Sequence, residues 1–292
     1  MIAVDWGSSS LRGYRLDQHG ATLEQRSSAR GILHCDGNYA DVLAGLVDGW
    51  PDSTILLSGM IGSRNGWIEQ AYLPCPAGLA DLAAALQLHH DARLPGRDLW
   101  FVPGVAVQGA GGTPDVMRGE ETQLFGLDTR AGHAHVCLPG THSKWATLHD
   151  GAITGFATAM TGEVFALLRQ HSLLGRLMDD GDGFDAIAFA QGVQRSGDAG
   201  GLLHHLFGVR ALGLFERLAP SAAPSYLSGL LLGHEIRDLA APGAEVHLVG
   251  NTTLTTRYAH ALKVLDRTPV DAPESLAARG LYRLARQRGL LG

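Results

Sequence analysis

Two short turns rich in glycine and hydroxyl side chains hold the residues best suited to chemistry: Asp5-Trp6-Gly7-Ser8-Ser9-Ser10 near the N-terminus and Pro139-Gly140-Thr141-His142-Ser143-Lys144 near the middle. Glycine permits close backbone approach, and the N–H groups and hydroxyls of such turns suit a chain of phosphate oxygens. In the first turn the Asp5 carboxylate, at a strand end, suits magnesium held directly or through water. Gly7, Ser8, Ser9 and Ser10 would donate to the phosphates that the metal bridges. In the second turn Gly140, Thr141 and Ser143 repeat the donors, Lys144 adds a positive charge, and His142 is placed to orient phosphate. That turn has no carboxylate, as expected if one jaw holds metal and the other grips terminal phosphates. A third turn, Gly250-Asn251-Thr252, sits between a strand and a helix, where bare backbone could lie against a base or ribose.

The elements around the two turns repeat. Ile2-Ala3-Val4 leads into the first, residues 11–16 lead out, 17–20 reverse the chain and 21–26 return. Residues 135–138 lead into the second, 145–148 lead out, 149–151 reverse and 152–156 return, so one strand meander is predicted twice. Gly7 and Gly140 are 133 residues apart, about one domain length. Between the meanders the pattern predicts a helix over 39–50, a strand over 53–57, a helix over 79–90, a strand from 99 and a helix opening at 117–123. The second half predicts helices over 161–177, with Thr161 as cap, and over 202–218, 225–239 and 254–265. A strand over 245–249, a short one at 270 and a last helix over 273–288 complete it. The alternation implies a layered α/β fold of two domains, residues 1–130 and 131–292.

Composition narrows the function classes. The 292 residues are 45% hydrophobic and 18% charged, as in a globular protein, and the net charge of −6 offers no basic field for nucleic acid or an anionic membrane. The apolar stretch around 227–232 is broken by Gly229, Gly233, His234 and Glu235, well short of a membrane span. The N-terminus enters a strand at once, without a signal core, and Cys35, Cys75 and Cys137 lack metal or redox spacing, which fits the cytosol. The adjacent pairs His89-His90 and His204-His205 lack the i, i+4 spacing of a metal clamp. An anionic ligand therefore needs a local basic pocket.

In their order along the chain the three turns resemble phosphate 1, phosphate 2 and the adenosine segment of the actin, sugar kinase and heat-shock ATPase superfamily. More narrowly, the motifs Val4-Asp5-Trp6-Gly7-Ser8-Ser9, Gly59-Met60-Ile61-Gly62-Ser63, Met117-Arg118-Gly119-Glu120-Glu121-Thr122-Gln123, Pro139-Gly140-Thr141-His142-Ser143-Lys144-Trp145 and Met160-Thr161-Gly162-Glu163 resemble the 2-dehydro-3-deoxygalactonokinase family. The likeness implies two ribonuclease H-like (actin-like ATPase) domains with a central cleft and ATP held mainly by the second. It also implies transfer of the γ-phosphate to the 6-hydroxyl of 2-dehydro-3-deoxy-D-galactonate in galactonate catabolism. At the start of the second turn, Leu138-Pro139 replaces the acidic residue common in the broad superfamily.

Such a kinase needs a base beside the attacking oxygen. Glu120 is the first choice, near where related carbohydrate kinases carry an aspartate, and Glu121 is its rival. Arg12, Arg64 and Arg118 are the candidate cations for the acid, Trp6 and Trp67 candidate walls of its pocket, and Met60 and Gly62 belong to the same loop. A kinase for another aldonate or 2-keto-3-deoxy acid, a non-kinase nucleotide switch and a homo-oligomer all stay open.

Overall fold

A computed structural model describes residues 1–128, 132–179, 181 and 183–291. The sequence-based boundary at 130/131 lies outside the described residues. The chain begins with β1 (Ile2–Trp6), β2 (Leu11–Leu16), β3 (Thr22–Ser28), α1 (Tyr39–Leu46), β4 (Thr54–Gly59), β5 (Tyr72–Pro74), β6 (Ala77–Gly78), α2 (Leu79–Ala84), β7 (Gln87–His89), β8 (Asp98–Phe101), β9 (Gly104–Gln108), β10 (Pro114–Met117) and α3 (Glu120–Gly126). It continues through β11 (His133–Leu138), β12 (Ser143–His149), β13 (Ala152–Ala159), α4 (Thr161–His171), α5 (Ala186–Arg195), α6 (Gly201–Leu214), α7 (Ala223–Leu239), β14 (Glu245–Leu248), α8 (Thr252–Val264), β15 (Thr268–Asp271) and α9 (Leu276–Arg288).

Both predicted meanders are present, and each ends up in the same sheet order. One sheet runs β3-β2-β1-β4-β8-β7, the other β15-β14-β11-β12-β13-β6. Numbered from β1 and from β11, with the edge strands β7 and β6 left out, each has the order 3-2-1-4-5, with strand 4 parallel to strand 1 through Asp5↔Ser58 in one and Cys137↔Leu248 in the other. This is the ribonuclease H-like plan, twice. Strand alternation explains the burial: Ile2, Val4, Trp6 and Leu11 are fully buried beside Leu43, Ile55, Leu57 and Phe101 in one core. A second core gathers Cys137, Trp145, Phe189, Ile236, Val246 and Leu262.

The chain divides into two compact units, one of Met1–His133, Thr147–Phe156 and Pro273–Gly292, the other of Ala134–Ala146 and Ala157–Ala272. This differs from the continuous 131–292 domain of the sequence reading, because α9 packs with α2, α3 and β1 in the first unit. Glycines make that packing close. A Cβ on Gly126 would lie 2.2 Å from the Leu276 carbonyl oxygen, and one on Gly280 1.8 Å from that of Thr122.

Three local expectations need correction. Residues 79–90 do not form one helix: α2 stops at Ala84 and β7 pairs antiparallel with β8, Leu88 opposite Trp100. The helix from Thr161 ends at His171, and Ser172 turns back to bond the Leu168 carbonyl. Thr161 is that helix's first residue, not its cap, and gives its hydroxyl to Glu235. A helix absent from the sequence reading, α5, carries its own start signal: the Asp185 carboxylate accepts from the Ile187 and Ala188 N–H groups.

Gly280→Ala is expected to cost about 2–3 kcal/mol in urea unfolding, since a backbone carbonyl cannot yield to the new methyl. Gly45→Ala, in α1 with nothing within 4 Å of its Cβ position, is expected to stabilise by up to about 1 kcal/mol.

Candidate active site

In the first unit the acidic groups meet where β1 ends. Asp5 stands opposite Arg12 on β2 and Ser58 on β4. Burial pushes the Asp5 carboxyl above its usual range, Arg12 pulls it down and Glu120 pushes it up again, so the two carboxylates share one field. Glu120 is brought there by Gly119, whose φ of +108° favours glycine and whose Cβ would sit 3.1 Å from the Gly59 Cα. The Glu120 carboxylate accepts from the Arg118 N–H at 3.1 Å, and that of Glu121 from the Gly119 N–H at 2.7 Å.

The two glutamates differ sharply in surroundings. Glu121 is fully buried, and burial followed by repulsion from Glu120 raises its pKa to about 8. Glu120 is only half-buried. The first turn itself is anchored from behind: the Ile32 and Leu33 N–H groups bond the Gly7 and Ser8 carbonyls, Gly7 N–H bonds Ser10, and Ser9 and Ser10 face solvent.

A three-stranded sheet, β10-β9-β5, aims Arg118. Tyr72 on β5 stands beside Gly104 on β9, and Met117 ends β10 next to Val105. A Cβ on Gly104 would strike both the Tyr72 ring and the Met117 carbonyl, at 2.7 and 2.6 Å. The bare position lets the Arg118 guanidinium lie 4.3 Å over the Tyr72 ring, its Nη2 donating to the Gln70 carbonyl at 2.7 Å.

The second unit holds the other two turns side by side, at the ends of the parallel strands β11 and β14. Val249 N–H bonds the Cys137 carbonyl, and Gly250, at φ +150°, lies against Pro139. Helix α4 abuts the Gly140 turn: a Cβ on Gly162 would meet the Gly140 carbonyl at 2.5 Å, and Glu163 N–H bonds the Thr141 carbonyl. Thr141 and His142 are exposed, and His142 pairs with Glu163. Two connected hollows of about 60 and 280 Å³, sharing Phe165, Ser228 and Arg257, run between α4, α7 and α8.

Several predicted residues are spent elsewhere. The Ser143 hydroxyl is buried on the Tyr258 hydroxyl at 2.6 Å, and the Asn251 side chain caps α8 by accepting from the Thr253 N–H. Thr252 opens that helix with its carbonyl taken by Thr256. Lys144 is buried, with Nζ 3.4 Å from the His142 carbonyl. Trp6 lies wholly inside the core, its indole N–H on the Arg30 carbonyl. Trp67 packs between Tyr39 and Phe101, and Met60 leans on the same core. Arg64 is 86% exposed and pairs with Glu69, whereas Arg118 and Gly62 are buried.

Sequence reasoning missed Glu235 and Tyr258. Glu235 accepts from the Trp145 indole at 2.6 Å and from the Tyr258 hydroxyl at 2.9 Å, so β12, α7 and α8 are tied together behind the second turn. Burial raises the Glu235 pKa, against hydrogen bonds from Thr161, Trp145, Tyr258 and Ser143. An acid inside the apolar stretch of α7 was the available signal. A larger hollow, about 1050 Å³ beside Arg279, Arg283 and Arg286, touches none of the predicted site residues.

A repeated ribonuclease H-like sheet with glycine-rich turns after its first strand is the fold of the actin-like ATPases and sugar kinases. The profile of the 2-keto-3-deoxy-galactonokinase family matches residues 5–284, and the chain belongs to that family. It is 36% identical over 270 residues to the 2-dehydro-3-deoxygalactonokinase of Escherichia coli (strain K12), covering 90% of this chain and 89% of that one. It is 39% identical over 303 residues, covering 97% and 96%, to a Rhizobium meliloti (strain 1021) protein assigned the same activity. A crystal structure of a Sinorhizobium meliloti protein, also so assigned, superimposes with a TM-score of 0.87 at 37% identity over 98% of each chain.

A carboxyl that keeps its proton to about pH 8 when folded, against about 4.5 when unfolded, favours the folded state less and less as pH rises between those values. Glu121→Gln removes this penalty. Relative to the parent protein it is expected to gain on the order of a few kcal/mol between pH 5 and pH 8 in urea melts, and nothing further above that.

Proposed function

We propose that the chain is an ATP-dependent kinase that transfers the γ-phosphoryl group to the 6-hydroxyl of 2-dehydro-3-deoxy-D-galactonate in galactonate catabolism. The observation that carries the reading is the coupled pair of carboxylates, Asp5 and Glu120, beside the first turn of a chain that belongs to this family over nearly its whole length. Glu120 is the base. It is half-buried and reaches the field of Asp5, whereas Glu121 is sealed in and holds its proton near neutral pH. Glu121 instead fixes Gly119 and with it the position of its neighbour.

Magnesium suits the hard oxygens of Asp5, a half-buried carboxyl beside exposed serine hydroxyls, because it keeps several waters and needs only one or two carboxylates. When bound it would neutralise charge on the transferring phosphoryl group. In the second unit, Thr141, His142 and the backbone from Gly140 would hold the terminal phosphates, with Lys144 beneath them. The bare Gly250 and the hollow along α8 would take the adenosine. The first unit thus serves the sugar acid and the second the nucleotide. Three free cysteines fit a cytosolic setting, and no helix among the described residues is long and apolar enough to cross a membrane.

A coupled ADP-release assay over 2-keto-3-deoxy acids, aldonates and neutral sugars, with and without magnesium, tests the proposal. Strong stimulation by 2-dehydro-3-deoxygalactonate is expected, and no stimulation by any acid would sink it. Glu120→Gln should lower kcat by about 10²- to 10⁴-fold with ATP binding intact, and a wild-type rate in that variant would move the base elsewhere.

A further inference from the structure

Among the described residues, six buried side-chain polar atoms lack a hydrogen-bond partner, and five of them fall in one place: Ser63 Oγ, Gln70 Oε1, Arg118 Nε, Arg118 Nη1 and Glu121 Oε1. Folded proteins rarely leave such atoms unsatisfied, so a cluster of them marks a site completed by something else. Arg118 and Gln70 are knit together around Gly62: Arg118 donates to the Gln70 carbonyl, Gln70 N–H bonds the Gly62 carbonyl, and a Cβ on Gly62 would lie 3.2 Å from both Arg118 Nη1 and Gln70 Cγ. Ser63 follows Gly62 in the chain, and the charge of Arg118 acts on the Glu121 carboxyl.

Arg118 is 7% exposed and forms no salt bridge among the described residues; the Tyr72 ring lies against its face, and the Glu121 carboxyl, which burial keeps protonated near neutral pH, feels its charge. A buried guanidinium with two unspent donors calls for an anion. Ser63 adds a third donor, while Gln70 Oε1 can only accept and so asks for a hydroxyl. The chemistry is that of a carboxylate on a hydroxylated chain.

We propose that Arg118, assisted by Ser63, binds the carboxylate of the acceptor and restricts the kinase to sugar acids, with Gln70 Oε1 receiving a hydroxyl from the same molecule. The inference rests on the kinase reading above.

The test compares 2-dehydro-3-deoxygalactonate with its primary amide, which keeps the hydroxyls and loses the charge, in the ADP-release assay and in nucleotide-free calorimetry. Wild-type protein is expected to favour the acid by about 100-fold in kcat/KM, and Arg118→Gln to erase that preference chiefly through KM, with KM for ATP unchanged. Ser63→Ala, a small change that serves if Arg118→Gln does not fold, should narrow the preference several-fold. Equal losses for acid and amide in Arg118→Gln, or an unaltered preference in Ser63→Ala, overturn the inference while leaving the kinase reading intact. Acid that binds in calorimetry through Arg118 but is never phosphorylated fails the kinase reading alone. Acid that does not bind wild-type protein overturns the inference.

Discussion

Two backbones approach at Gly59 and Gly119 with no room for a side chain between them, and the chemistry of the first unit hangs from that contact. Gly59 ends β4 at φ +94°, its Cβ position 2.7 Å from the Trp6 carbonyl, and Gly119 opens α3 at φ +108° against it. Because both positions are bare, Glu120 is delivered to the field of Asp5 at the end of β1. A methyl group at either glycine would combine backbone strain with a clash and lift Glu120 away from Asp5. The second unit solves the same problem in the same way, with Gly162 of α4 laid on the Gly140–Thr141 backbone.

Buried acids behind the two turns are handled differently, and the difference assigns their roles. Glu235 is surrounded by donors from Trp145, Tyr258, Thr161 and Ser143, so its carboxyl locks three elements into one arrangement. The Ser143 hydroxyl is thereby held inside that network, and Thr141 and His142 are left as the exposed side chains of the second turn. Glu121 has donors for one oxygen only, and its other oxygen joins the unsatisfied cluster around Arg118. A network left open in this way is poorly explained as structural support, since an apolar packing would be more stable.

The strand meanders were legible because alternation and reversing turns are local: Ile2, Val4 and Trp6 against Leu11, then His149-Asp150-Gly151 in the second copy. The motif segments around Gly59, Arg118, Gly140 and Gly162 were legible as candidates for the same reason. What the local pattern could not reveal was where each side chain is consumed. Ser143 meets Tyr258 across 115 positions, Arg118 reaches Gln70 across 48, and neither separation leaves a periodic trace. The break of residues 79–90 into α2 and β7 likewise depends on β8 being available to pair, a tertiary decision that overrides a helical apolar spacing. Trp6, a candidate for either a pocket wall or a core role, lies in the core; a tryptophan beside a functional turn has the same sequence context in both.

Charge balance explains why one arginine and not another should read an acidic substrate. The chain carries −6 overall, so attraction of an anion cannot come from its net field and must come from a fixed, unscreened cation. Arg64 lies in the right loop but projects into water, where pairing with Glu69 and mobile ions weaken it. Arg118 is held by Tyr72, Gln70 and the absence of side chains at Gly62 and Gly104, in surroundings that strengthen every interaction it makes. The cost of burying that charge without a carboxylate in salt-bridge contact falls on the free protein. An anion entering the site would relieve it, so the same desolvation that makes Arg118 expensive to hold makes it selective for a charged acceptor over a neutral one.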